Sequence, residues 1–278
     1  MRPLMTGIFS AVALILAVGS APSKAATPAE QFGKAKVGSA VVVDHSAWTK
    51  LLGTYVVASP DGVNRVRYAD FKREGQAALK TYITSLQAVD VATLDRAEQW
   101  AFWANLYNAK TIDIVLDAYP VKSIKDISLG GGLVAAFTGG PWKAKVLKIN
   151  GQDLSLDDIE HGILRPVMKD PRVHYSVNCA SIGCPNLMRE AFTGAKLDSQ
   201  LNAGASAYIN NPRGLNLHGG SATASSIYDW FKSDFGGGAD GVLAHARKYA
   251  SPSLKREMES ITTISGYDYN WALNDAAR

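Results

Sequence analysis

Helical spacing of apolar residues dominates the chain, and period-two alternation is confined to short stretches. In residues 95–118 the side chains of Trp100, Trp103, Tyr107, Ile114 and Val115 make an aromatic-rich face at a helical repeat, which predicts the strongest element of the chain. Asp95 can cap it, and Glu98, at the third helical position, can reach back to the cap amide as in a capping box. Tyr119-Pro120 ends it, because proline disfavours an α conformation in the residue before it. Phe71, Ala78, Leu79, Tyr82, Ile83 and Leu86 predict a second helix, and Trp48, Leu51 and Leu52 a short one over residues 46–52. Residues 197–209 and 242–249 also read as helices, and another begins at 226–231. Alternation predicts strands at 63–68, 142–149 and 173–177, a hairpin at 215–223 and a closing strand within 264–273. Asn150-Gly151 is a type I′ turn signal. Ser155 and Asp158 open a short helix that runs through Ile159, His161 and Leu164 to Arg165-Pro166.

These elements predict an α+β fold: a helix-rich single globular domain over residues 46–278, with a small, mostly antiparallel sheet packed on the central aromatic-rich helix. A loose opening segment precedes it at 27–45. Residues 1–26 read as a cleavable signal peptide, with Arg2, an apolar run from Ile8 to Val18, and Ser23-Lys24-Ala25 as a small-residue cleavage site. That run is shorter than the roughly 20 residues a membrane span needs, so the mature chain is expected in the periplasm or secreted, without stable membrane insertion. Removing Arg2 and Lys24 lowers the net charge from +4 to +2. Acidic and basic residues are mixed along the chain, which argues against a nucleic-acid partner and leaves a small molecule or a peptide. Runs of glycine at 130–132, 139–140, 219–220 and 236–238 read as loops.

Chemistry concentrates in Asp170-Pro-Arg-Val-His174-Tyr-Ser-Val-Asn178-Cys179-Ala-Ser-Ile-Gly-Cys184-Pro185, which holds both cysteines and one of five histidines. In an exported chain the C-x4-C spacing suits a small disulfide loop. It suits equally a nucleophilic Cys179 at the end of a strand, its thiol activated by an imidazole or base. In a regular strand His174 would share a face with Ser176 and Asn178, with Cys179 on the other, so a direct His174 to Cys179 pair requires a bulge. His161 has Asp157 four residues earlier on its helical face, a carboxylate able to orient the ring. Asn105 and Asn108 interrupt a buried helix and must find partners, either as structural brackets or as site residues. Glu98 or Glu160 could orient a histidine, and Asn105 or Asn178 could offer an amide to a developing oxyanion. No spacing supports a metal site, and no cofactor is expected.

Several ordered blocks resemble the domain of unknown function 547 family, found in bacterial exported proteins and in plant and animal chains. They are Glu98-Gln-Trp-Ala-Phe-Trp103-Ala-Asn105-Leu-Tyr-Asn108-Ala-Lys-Thr, Tyr119-Pro-Val-Lys-Ser-Ile, Leu156-Asp-Asp-Ile-Glu160-His161-Gly-Ile-Leu-Arg165-Pro, Asp170-Pro-Arg-Val-His174-Tyr-Ser-Val-Asn-Cys179-Ala-Ser and Tyr228-Asp-Trp230-Phe-Lys-Ser-Asp234-Phe. The resemblance spans roughly residues 60–250. It marks Glu98, Asn105, Asn108, Glu160, His161, Arg165, His174 and Cys179, whereas the position of Cys184 is often not cysteine in the eukaryotic members. That implies an individual role for Cys179. The expected function is a thiol-dependent hydrolase or acyl transferase using Cys179 with His161 or His174 and Glu98 or Glu160, Asn105, Asn108, Arg165 and Asn178 serving binding. The alternative is a non-catalytic binding or scaffold domain whose polar residues form a buried network.

Overall fold

The computed structural model describes residues 26–129 and 140–277; residues 1–25 of the segment read as a signal peptide, and the glycine run at 130–132, lie outside them. Its axis is the helix Arg96–Ala118, whose residues are buried without a break from Glu98 to Ala109. Asp95 caps it by accepting from the Glu98 amide at 2.9 Å, and Tyr119 leaves it in an extended conformation before Pro120. Trp103 is fully buried and meets Phe32 edge-on at 5.2 Å. Truncating such a ring to alanine typically costs about 3–5 kcal/mol.

Around this axis pack the helices Ser46–Tyr55 and Gln76–Gln87, which bury Trp48, Leu52, Leu79 and Leu86, and the helix Leu197–Ile209. The strands are short. Val56–Val57 pairs antiparallel with Arg65–Val66, and Leu147–Ile149 with Gln152–Leu154. Asn150 and Gly151 both have positive φ (47° and 81°), as the type I′ turn requires. Leu215–His218 and Ser221–Ser225 form the expected hairpin, and the closing strand Thr263–Asp268 joins it in parallel. The fold is α+β, with three small sheets among the described residues, the last of them mixed.

Three local expectations are corrected. Residues 171–175 form a 3-10 helix, not a strand: Asp170 caps it by accepting from the Arg172 amide, and Pro171 supplies the preset φ of a first helical position. The strand expected at 142–149 is reduced to Leu147–Ile149. Residues 27–45 are also not loose. Thr27 and Glu30 form a capping box over Pro28–Phe32, and the Lys36 amide, Ser39 hydroxyl and Val43 amide bond to Leu94, Thr93 and Glu98 at the head of the central helix.

Among the described residues the buried apolar side chains form two clusters. The larger surrounds the central helix, and the smaller joins Tyr175, Tyr208, Tyr228, Phe235 and Leu243 under the three-stranded sheet. Tyr107 and Val177 of the first and Ile227 of the second line one cleft where the two meet. The junction of packed units is a usual place for a binding cavity.

Candidate functional site

The floor of the cleft is the loop that follows the 3-10 helix. Ala180 sits in the left-handed region (φ 60°), so the loop cannot satisfy its own backbone by regular pairing. Asparagines do this instead. Asn108 donates to the Ser176 carbonyl and accepts from the Asn178 amide, both at 2.8 Å. Asn178 accepts from the Ala180 amide at 2.8 Å and donates to the Pro185 carbonyl at 2.6 Å. The C-terminal segment clamps the other side, with the Ile182 and Gly183 amides donating to Ala272 and Asn270. A Cβ on Gly183 would lie 2.9 Å from the Asn270 nitrogen, so this close approach needs glycine.

That clamp delivers Tyr269 to the cysteines. Both are free thiols, Cys179 half-buried and Cys184 buried. The Tyr269 hydroxyl lies 3.1 Å from Cys179 Sγ and 3.0 Å from Cys184 Sγ, and the Cys179 amide donates to Cys184 Sγ at 3.0 Å. Ser181 Oγ is 3.4 Å from each sulfur. Burial works to raise the Cys184 thiol, but hydrogen bonds from Cys179, Ser181 and Tyr269 outweigh it and bring it down to about 6. Donation to Cys184 holds the Cys179 proton on, so the pair gives up its first proton from Cys184.

Opposite the thiols stands a chain of imidazoles and charges. His161 and Glu160 lie on a stretch of π-helix, Asp158–Leu164, a winding frequent at functional sites. Arg165 Nη1 is 3.3 Å from His161 Nδ1; a guanidinium only donates, so the neutral ring accepts there and carries its proton on Nε2. Nε2 is 3.8 Å from Asp157 Oδ1, the pairing expected from their spacing. Arg165 also grips Asp234 through two bonds, at 2.6 and 3.1 Å. Asp234 in turn meets His174 Nε2 at 2.9 Å, while His174 Nδ1 is 4.0 Å from Glu160. The His174 and Arg165 contacts hold the Asp234 carboxyl well below the usual carboxylate range despite its burial. Phe231 packs the group together, stacked on His174 at 4.4 Å and lying 4.6 Å from the Arg165 guanidinium carbon.

Cys179, Cys184, His161, His174, Asp157 and Glu160 therefore all face one cavity of about 350 Å³. Its remaining wall is aromatic: Trp230 stacks on Trp271 at 5.6 Å, and Tyr269 and Trp142 meet Trp271 at 4.7 and 5.8 Å. Among the described residues, no imidazole is hydrogen-bonded to either sulfur, and no cluster of three metal-ligating side chains occurs.

Not every expected residue reaches the cleft. Glu98 does not close a capping box on its own helix. Its two carboxylate oxygens accept from the amides of Val43 at 2.8 Å and Gly194 at 2.9 Å, away from the thiols. Asn105 brackets Phe192 through both its carbonyl and its amide, and with Asn178 committed to the loop neither amide is turned to an oxyanion at Cys179. Asn108 is likewise a bracket, and Arg165 acts through His161 and Asp234. Sequence reasoning gave no role to Tyr269, Ser181 or the tryptophan wall. Asp234 stood within the last matched block, whose polar end was the only signal for it.

Residues 91–209 match the model of a protein family of unknown function, DUF547. The match takes in the central helix, the π-helical stretch and the cysteine loop, and stops before the Tyr228 to Phe235 block. No curated protein and no solved structure matches the chain. None of the described helices is long and apolar enough to cross a membrane.

Proposed function

We propose that this is an exported thiol-dependent hydrolase or acyl transferase whose active site is the aromatic cleft. The observation that carries the reading is the convergence of both thiols, two imidazoles and two carboxylates on a single cavity. Cys179, the more exposed sulfur, is the nucleophile. Its proton passes to the Cys184 thiolate as the Cys179 sulfur bonds to a carbonyl carbon. The same proton then leaves with the alcohol or amine expelled, and a thioester remains. Water or another nucleophile gives its proton to Cys184 as it opens the thioester, and Cys184 returns that proton to the departing Cys179 sulfur, which restores the starting pair. Cys184 thereby takes the base role that sequence reasoning gave to a histidine. His161, with Nε2–H turned to Asp157, and His174, held by Asp234 and facing Glu160, fix the charge distribution around the reacting carbonyl.

A second reading, a non-catalytic binding domain, draws support from Glu98, Asn105, Asn108 and Asn178, all of which are spent on backbone groups. Iodoacetamide labelling across a pH series, mapped by mass spectrometry, separates the two. The thiol enzyme predicts labelling in the pair that rises through about pH 6 and is lost from that range in Cys184→Ser, which removes the thiol that gives up its proton first. Labelling of neither sulfur below about pH 8, where an ordinary thiol begins to ionise, leaves only the binding domain.

A further inference from the structure

Glu160 is an unusual wall for an aromatic cleft. Its side chain is 13% exposed, and it bonds to the buried Tyr107 hydroxyl and lies 4.0 Å from His174 Nδ1, but among the described residues no lysine or arginine pairs with it. A carboxylate removed from water in this way is stabilised only by a partner charge or by hydrogen bonds. Asp157 adds a second negative charge, and the cleft's one lysine, Lys143, is exposed. The facing rings have electron-rich faces that attract cations. Lys125 Nζ already stands 5.0 Å above Trp271, and Arg165 lies over Phe231. Trp230, 46% exposed, presents a large aromatic surface.

We infer that the cleft takes a substrate bearing a primary ammonium group, seated against the Trp230 and Trp271 wall with Glu160 as its counter-charge. The charge complementarity excludes the competing classes. A carboxylate or phosphate would face Asp157 and Glu160, and a purely apolar ligand would strip water from Glu160 without replacing it. A primary ammonium supplies three N–H donors on a narrow apolar stem, and the cavity of about 350 Å³ accommodates a small molecule of this kind. The inference rests on reading the cleft as the substrate site, and not on Cys179 acting as a nucleophile.

The test is therefore made on Cys179→Ser protein, by calorimetry and tryptophan fluorescence, with n-pentylammonium and n-pentanol as a charged and a neutral probe of equal length. Pentylammonium is expected to bind about tenfold more tightly than pentanol, and to lose that advantage in Glu160→Gln. Equal or tighter binding of pentanol overturns the inference, as does an advantage that survives Glu160→Gln. Should Glu160→Gln lose its fold by circular dichroism, salt decides: amine binding that does not weaken with ionic strength, while Glu160 is intact, overturns the proposal equally. Failure of thiol labelling with retained amine selectivity would remove the nucleophile and keep the ligand class.

Discussion

Replacing Asp234 by asparagine removes one charge from the chain of contacts that holds His174 and Arg165 and barely alters volume. The carboxylate accepts from Arg165 at 2.6 and 3.1 Å and meets His174 at 2.9 Å, with a quarter of its side chain exposed. Hydrogen bonds to charged groups contribute about 1.5–3 kcal/mol each, and the water that reaches Asp234 offsets part of their loss, so Asp234→Asn should destabilise by about 2–3 kcal/mol. The pH dependence follows from the depressed carboxyl. A group whose folded pKa lies below its ordinary value of 3.8 contributes stability above that value, and the contribution is lost as pH falls through 3.8 towards the folded value. Urea unfolding followed by tryptophan fluorescence should give the full gap between wild type and Asp234→Asn at about pH 5 and a smaller one at about pH 3. A gap below about 0.5 kcal/mol at pH 5, or one equally large at pH 3, would refute the argument that this carboxylate organises the imidazole wall.

Tyr269→Phe removes a hydroxyl in contact with both sulfurs; the midpoint of iodoacetamide labelling should rise by about one pH unit, and an unmoved midpoint would deny Tyr269 a part in holding the thiolate. Asn108→Ala strips partners from the Ser176 carbonyl and the Asn178 amide, both buried, and should cost about 2–4 kcal/mol in chemical denaturation. Gly194→Ala would bring a Cβ to 2.5 Å from Glu98 Oε2 and 3.1 Å from the Glu98 nitrogen. A loss of about 1–3 kcal/mol is expected, and an unchanged melting temperature would show that the Glu98 bracket gives way freely.

What could be read along the chain was what local chemistry decides. The central helix announced itself through the spacing of Trp100, Trp103 and Tyr107 and the Asp95 cap, and the Asn150-Gly151 turn through its φ requirement. Residues 171–175 were misread although their signal is also local. A cap at Asp170 and a proline at the first helical position outweigh five residues of alternation, because an N-cap bond and a preset φ act before any sheet partner is available. The correction changes the site. A strand would separate His174 from Cys179, whereas the 3-10 helix and the loop after it leave both residues bordering the same cleft. Tyr269 and Asp234 carry no local pattern: the first meets Cys179 across 90 residues and the second meets His174 across 60.

The polar residues marked by the family resemblance divide by the partner each finds, not by residue type. Glu98, Asn105 and Asn108 spend their oxygens and amides on backbone groups of Val43, Gly194, Phe192, Ser176 and Asn178. His161, His174 and Glu160 turn towards the cavity. The two sets are mechanically linked, because a loop with Ala180 in the left-handed region holds its path only while Asn108 and Asn178 satisfy its amides and carbonyls. The sulfur positions beside Tyr269 therefore depend on amides that never touch a ligand. Substitutions at Asn108 should move thiol reactivity and stability together, whereas substitutions at Glu160 should move ligand preference.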